Sequence, residues 1–337
     1  CKSIYIMKYS SYIYSLILSM LLGFLYNRYK KSYDLDEEMS SYAMVNKFLV
    51  GNDDTIDNKD NGLSLAKSKK PILWIHMNYD INARWWSSFY SRNSTDLNQP
   101  YLYLTIKSII DACGKDFNIC IIDDESFDKL IPDFNINVSL FAEPIKSKMR
   151  ELAFSKLLFR YGGVRIPPAF ICFQSLLPLY RHFTDNGLMF VGESLNKTSI
   201  SSEELYFPNT TFMGCLKECP MMLEYMTYLE KMISQDFVDE SNFIGAYGRW
   251  CYEKASKNEI GIIKAEMLGI KDAEGTAITV DRLMQNTYVN LSGIIVGLYI
   301  PENDILKRTA YNWFARLSAK QVLDSETTIG KYLLITR

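Results

Sequence analysis

Residue types able to do chemistry are sparse in this chain of 337 residues, and their positions limit what they can do. Histidine occurs only at His76 and His182, too few for a histidine-based metal site. The seven cysteines stand at 1, 113, 120, 172, 215, 219 and 251, form no Cys-x-x-Cys pair, and several lie in apolar runs. They read as core thiols, not as a disulfide framework or a zinc site. Three acidic positions hold more interest. Asp123 and Asp124 close the apolar run Phe117-Asn-Ile-Cys-Ile-Ile122, and Glu151 follows Lys148 and Arg150 early in a helical pattern. Arg84, Trp85, Trp86 and Arg92 fall in the stretch 80–100. That composition suits stacking on a base or sugar, or anchoring a protein interface, and the interface is favoured. Plain structural alternatives are equally concrete. His76 can pack in a core against Trp74, Asp124 or Ser126 can cap a helix over 127–130, and Glu151 can sit on a solvated helix face beside Lys148 and Ser155.

Periodicity places these residues. Pro71-Ile-Leu-Trp-Ile-His-Met77 and the run ending at Ile122 are short, continuous and apolar, as buried parallel strands are. Residues 102–113 read as an amphipathic helix stopped by Gly114. Met149, Leu152, Ala153, Leu157 and Tyr161 recur at helical spacing, and Gly162-Gly163 suits left-handed positions past a helix end. Val164 to Ile166 then begins a strand that Pro167 and Pro168 cut short. Residues 188–191 form a further strand candidate, and 176–180, 221–233 and 241–255 further helices. Buried strands alternating with helices predict an α/β fold with a mainly parallel sheet flanked by helices. Ligands of such sheets bind outside the carboxyl ends of the strands, where His76, Asp123-Asp124 and the 167–169 step would all lie.

A helix, then Tyr161-Gly162-Gly163, then a short strand resembles the core of GT-A glycosyltransferases, in the family that carries the DxD sugar-binding motif. In that family the strand after Gly-Gly ends in Asp-x-Asp, which holds a divalent metal against the donor diphosphate. The two aspartates would fall at 167 and 169. Pro167, Pro168 and Ala169 stand there instead, and none supplies the side-chain oxygen a hard cation needs. The resemblance implies a nucleotide pocket beginning at His76, a nucleotide contact at Asp123 or Asp124, and a donor contact at Glu151. With the metal motif gone, these four read as remnants of a donor site. No catalytic residue is assigned, and neither a metal nor a cofactor is expected. Phe207 to Cys215, ahead of a long helix, also has a counterpart in the family. More narrowly, Ile300-Pro-Glu-Asn-Asp-Ile-Leu-Lys-Arg308 and Tyr311-Asn-Trp-Phe-Ala-Arg-Leu317, with Asn93-Ser-Thr95 and Lys146-Ser-Lys148, resemble glycosyltransferase-like proteins encoded by large DNA viruses.

Tyr9 to Tyr26 is a run of 18 uncharged residues between Lys8 and the group Arg28, Lys30 and Lys31. It predicts one N-terminal transmembrane helix at the short end of the spanning range, within an anchor over 1–32. A cleaved signal peptide is disfavoured because no small-x-small site follows, and an amphipathic core helix is the other alternative. Residues 33–70 read as a polar linker and 71–337 as the glycosyltransferase-like α/β domain. A formal net charge of −2 with no basic excess argues against nucleic acid as a partner. The expectation is a membrane-anchored, catalytically degenerate glycosyltransferase-like protein with a structural or interaction role. Its partners would be lipid, through residues 9–26, and other virion or membrane-complex proteins. A minor capsid or inner-membrane protein of a virus particle fits, with host endomembranes as the other location. The alternative is an active anchored transferase in which Lys148, Arg150 and Arg165 replace the metal against the leaving diphosphate.

Overall fold

The computed structural model describes residues 19–24, 26, 70–77, 99–131, 134–195, 206–234 and 240–336. The chain divides into two compact units, Cys1–Met44 and Val45–Arg337. In the first, residues 19–24 are helical, and Met20, Leu21, Leu22 and Phe24 are each more than half exposed. No helix among the described residues is long and apolar enough to cross a membrane, so the spanning helix expected over 9–26 is not shown. Residues 9–18, the linker residues 33–69, and Arg84, Trp85, Trp86 and Arg92 lie outside the described residues.

The second unit is built on one six-stranded sheet. Its elements begin with β1 (Ile72–His76), α1 (Tyr101–Cys113), β2 (Asn118–Ile122), α2 (Ser126–Leu130), α3 (Ile145–Tyr161) and β3 (Gly163–Ile166). β4 (Phe170–Cys172), α4 (Leu177–Thr184), β5 (Phe190–Leu195), β6 (Tyr206–Cys215), α5 (Pro220–Ser234), α6 (Glu240–Ser256) and β7 (Gly261–Ile263) follow. The chain continues through α7 (Val280–Leu283), β8 (Gly297–Tyr299), α8 (Glu302–Lys307), α9 (Ala319–Leu323) and α10 (Thr328–Ile335). Strand order in the large sheet is β2-β1-β3-β6-β5-β7. β1 pairs in parallel with β2 and β3, and β5 with β7, whereas β6 runs antiparallel to both neighbours. The architecture is thus the mainly parallel α/β sheet flanked by helices that the alternating runs predict. One element departs from that reading. The prolines interrupt the chain without ending its extended course, because β4 resumes after them and pairs antiparallel with β8 in a second, two-stranded sheet.

Both faces of the large sheet are buried. Ile72, Trp74, Cys120 and Ile122 join a core with Leu152, Ala153 and Leu157 of α3, Tyr225 and Leu229 of α5, and Trp250 of α6. Leu73, Ile75, Ile119 and Ile121 alternate to the opposite face and are equally buried. A sheet covered on both faces leaves its edges and strand ends for a site.

The turn between α3 and β3 sets how the pieces fit. Gly162 and Gly163 have φ of +69° and +103°. A Cβ on Gly163 would stand 2.1 Å from the carbonyl oxygen of Ile72, and one on Gly162 2.6 Å from the backbone nitrogen of Lys217. Trp74 Nε1 donates to the Gly162 carbonyl at 3.0 Å, tying β1 to the same turn. Only glycine lets the helix end come this close to β1. Gly163→Ala is therefore expected to cost about 3 kcal/mol or more, since strain and a backbone collision add. Gly187→Ala, at φ +70° with nothing within 4 Å of the new atom, should cost only about 1–2 kcal/mol. Urea unfolding of the two variants measures the difference.

Candidate functional site at the carboxyl edge of the sheet

β1, β2 and β3 run in the same direction and end together, so His76, Asp123-Asp124 and Pro167 emerge at one edge. Asp124 is the hub there. Arg150 of α3 clamps it at two points, with Nε donating to Oδ1 at 2.7 Å and a terminal nitrogen to Oδ2 at 2.6 Å. His76 Nε2 lies 3.0 Å from Oδ1 and Lys146 Nζ 3.7 Å from Oδ2. Only 10% of the Asp124 side chain is exposed. Burial pushes its carboxyl up, but the hydrogen bonds and charges of Arg150 and His76 outweigh this and hold it well below the usual carboxylate range. The His76 ring is stacked on Phe127 at 5.7 Å between centroids and meets the edge of Phe154 at 5.6 Å. Burial lowers the His76 pKa against the opposing pull of Asp124, so at pH 7 a neutral imidazole donates its Nε2 proton to the carboxylate.

Glu151 makes a separate pairing one residue further along α3. Arg165 of β3 donates to Oε2 at 2.7 Å, and the Tyr225 hydroxyl of α5 donates to Oε1 at 3.0 Å. Arg165 also lies 4.1 Å from the centre of the Phe154 ring. Glu151 is 5% exposed, so the solvated helix face expected for it does not exist: α5 covers that side of α3. The helix cap expected from Asp124 or Ser126 is not made, and α2 starts without a side-chain cap. Asp123 Oδ1 accepts from the backbone nitrogen of Ser126 at 2.9 Å and from its hydroxyl at 2.6 Å, closing the turn into α2. Asp124 is unable to serve there because Arg150 engages both its oxygens.

The 167–169 step is built into the fold. Pro168 and Ala169 are buried, the latter completely. The Thr105 hydroxyl of α1 donates to the Pro168 carbonyl at 2.8 Å, and the backbone nitrogen of Ile300, just past β8, donates to the Ala169 carbonyl at 2.9 Å. The step has no side-chain oxygen, and these two backbone oxygens already have donors. Among the described residues no group of three or more His, Cys, Asp and Glu side chains could hold a metal ion. The structure thus joins His76 to Asp124, sets Glu151 apart with Arg165, and leaves Asp123 in neither cluster. Thr105, Lys146 and Tyr225 complete these contacts, and none of them is read in the sequence as a site residue. Their one signal is a polar or phenolic side chain inside an otherwise core-facing helical pattern.

No family model, curated protein or solved structure matches the chain.

The geometry fixes a stability test. Arg150→Met strands a buried carboxylate and is expected to cost about 3–5 kcal/mol, and adding Asp124→Asn should recover most of the loss. Ionised Asp124 stabilises the fold above its unfolded pKa near 3.8, and that contribution is lost as pH falls through its lower folded value. The double variant should lack this acid-side loss. Chemical denaturation at a series of pH values reads both effects.

Proposed function

We propose that this chain is a glycosyltransferase-like scaffold of the GT-A type whose donor chemistry has been removed, acting as a membrane-anchored structural or interaction protein of a large DNA virus particle. The observation that carries this reading is the saturation of the edge carboxylates. Asp124 is taken by Arg150 and His76, Glu151 by Arg165 and Tyr225, and the residues at the metal-binding step hold no carboxylate. Lipid contact draws support from the uncharged run 9–26 and from Met20, Leu21, Leu22 and Phe24, large apolar side chains exposed together on one helical stretch. The tryptophans and arginines at 84–92 supply residue types enriched at protein interfaces, and the near-neutral charge disfavours nucleic acid. A minor capsid or inner-membrane protein that ties lipid to a protein shell fits these features, with host endomembrane as the other location.

A second reading has its own observation. Lys146, Arg150 and Arg165 gather near the carboxyl edge, and cations there could stabilise a leaving diphosphate without a metal. Arg150 and Arg165 would then exchange buried carboxylates for phosphate.

Calorimetry with a panel of nucleotide sugars, with and without manganese, separates the two. No binding in the micromolar range is expected, whereas saturable micromolar binding that Arg150→Met abolishes would establish the transferase reading. Pro167→Asp combined with Ala169→Asp is expected to gain no manganese affinity. It should lose about 3 kcal/mol or more, because a carboxylate would enter a fully buried position without a partner. In liposome flotation the full chain should rise with lipid and a chain lacking residues 1–32 should not.

A further inference from the structure

We propose that Cys113 and Cys172 are a redox modification site, forming a reversible disulfide that staples α1 to β4 when the protein meets a peroxide. The sulfur atoms lie 3.8 Å apart, joining positions 59 residues apart in sequence. Cys113 is the last residue of α1 and Cys172 the last of β4, and both are buried. Core packing alone does not require two sulfurs to face each other across elements.

The surrounding contacts hold the two backbones in register for a bond. Thr105 donates to the Pro168 carbonyl, and Ser108 Oγ accepts from the Cys172 backbone nitrogen at 2.9 Å. α1 is therefore tied to the segment 168–172 at successive points, with the thiol pair next in line. A bond requires the sulfurs to close from 3.8 Å to about 2 Å.

Access comes through a cavity of about 500 Å³, lined by Cys172 with Ser108, Asp111, Phe173, Tyr332 and Ile335. Asp111 and Ile335 are exposed, so the cavity reaches the surface. Cys172 lines this cavity, and the Cys113 sulfur lies 3.8 Å from its own. The hydrogen bond between the two sulfurs lowers the Cys113 pKa and raises that of Cys172, so Cys113 ionises first and the remaining proton stays on Cys172.

The chemistry balances with hydrogen peroxide as sole oxidant. With that proton on Cys172, the Cys113 thiolate attacks one peroxide oxygen. An S–O bond forms, the O–O bond breaks, and the departing hydroxide takes the Cys172 proton to become water. The Cys172 thiolate then attacks the sulfenic sulfur of Cys113. The S–S bond forms, the S–O bond breaks, and this second hydroxide becomes water with the proton first released. Two thiols and one peroxide become a disulfide and two waters, and a small dithiol reverses the change.

The experiment is peptide mapping of the unsubstituted, full chain after brief hydrogen peroxide treatment, alkylation of remaining thiols and digestion without reductant. The expected result is a linked peptide joining 113 and 172, removed by dithiothreitol. Loop closure over a segment of this length should raise Tm by about 5–10 °C. Cys113→Ser and Cys172→Ser should each lose the link and the shift. The proposal is overturned if both thiols remain alkylatable or if peroxide couples Cys215 to Cys219 instead. Over-oxidation of either thiol while the other stays reduced, or a link without a Tm change, would overturn it equally. Mapping of the unsubstituted protein decides the matter even where a serine variant fails to fold.

Discussion

A carboxylate withdrawn from water has to be met by cations or hydrogen-bond donors, and α3 imposes that condition at two successive residues. Arg150 reaches Asp124 at the end of β2, while Glu151 receives Arg165 from β3 and Tyr225 from α5. Neighbouring residues of a helix point about 100° apart, so one helix can satisfy partners in two directions. The result fixes α3 to the strand ends on one side and to α5 on the other. Such pairs add little net stability over a well-packed apolar core, but breaking one leaves a stranded charge. They act as positional locks.

That placement relies on the glycine turn behind it. With no Cβ at Gly163, β3 lies against the backbone of Ile72, and Arg165 on that strand comes within reach of Glu151. Two residues beyond Arg165 the chain enters Pro-Pro-Ala, and the lack of charge there has a structural consequence. Side chains without oxygen let Pro168 and Ala169 be buried while their carbonyls are captured by Thr105 and Ile300. The second capture sets Ile300 beside Ala169, next to the pairing of Phe170 with Tyr299 that begins the small sheet. Aspartates in these places would require water or a cation and would oppose this closure.

Much of the sheet is legible in the sequence because its strands are continuous apolar runs and its helix stops are glycines, both local signals. The residues around Ile75, Ile121 and Gly163 illustrate this. Non-local pairings are not legible. Nothing near Phe170 indicates Tyr299 as its partner, and nothing within β6 indicates that it runs against β3 and β5. The helix pattern correctly places Leu152 and Leu157 in the core, yet misplaces Glu151, because amphipathicity reveals one buried face and not the later arrival of α5. Asp123 and Asp124 are equivalent as sequence symbols. Their division into a turn former and an ion-pair hub is decided by Arg150, which lies 26 residues away. The facing sulfurs of Cys113 and Cys172 are hidden for the same reason.

The energetics of the locks bear on what the edge can do. For a diphosphate to recruit Arg150 and Arg165, Asp124 and Glu151 would each have to be left buried without the main cation, at about 3–5 kcal/mol apiece. The combined cost of about 6–10 kcal/mol is comparable to the whole binding free energy of a micromolar ligand, about 8 kcal/mol. To bind with micromolar affinity, a nucleotide sugar would therefore need an intrinsic affinity several orders of magnitude tighter, or a rearrangement of α3 that supplies new partners. His76 and Lys146 could retain part of the charge balance at Asp124, but Glu151 would keep only the Tyr225 hydroxyl from its present pair of contacts. The carboxylate that the sequence most readily assigns to a solvated face is thus the stronger obstacle to opening the edge.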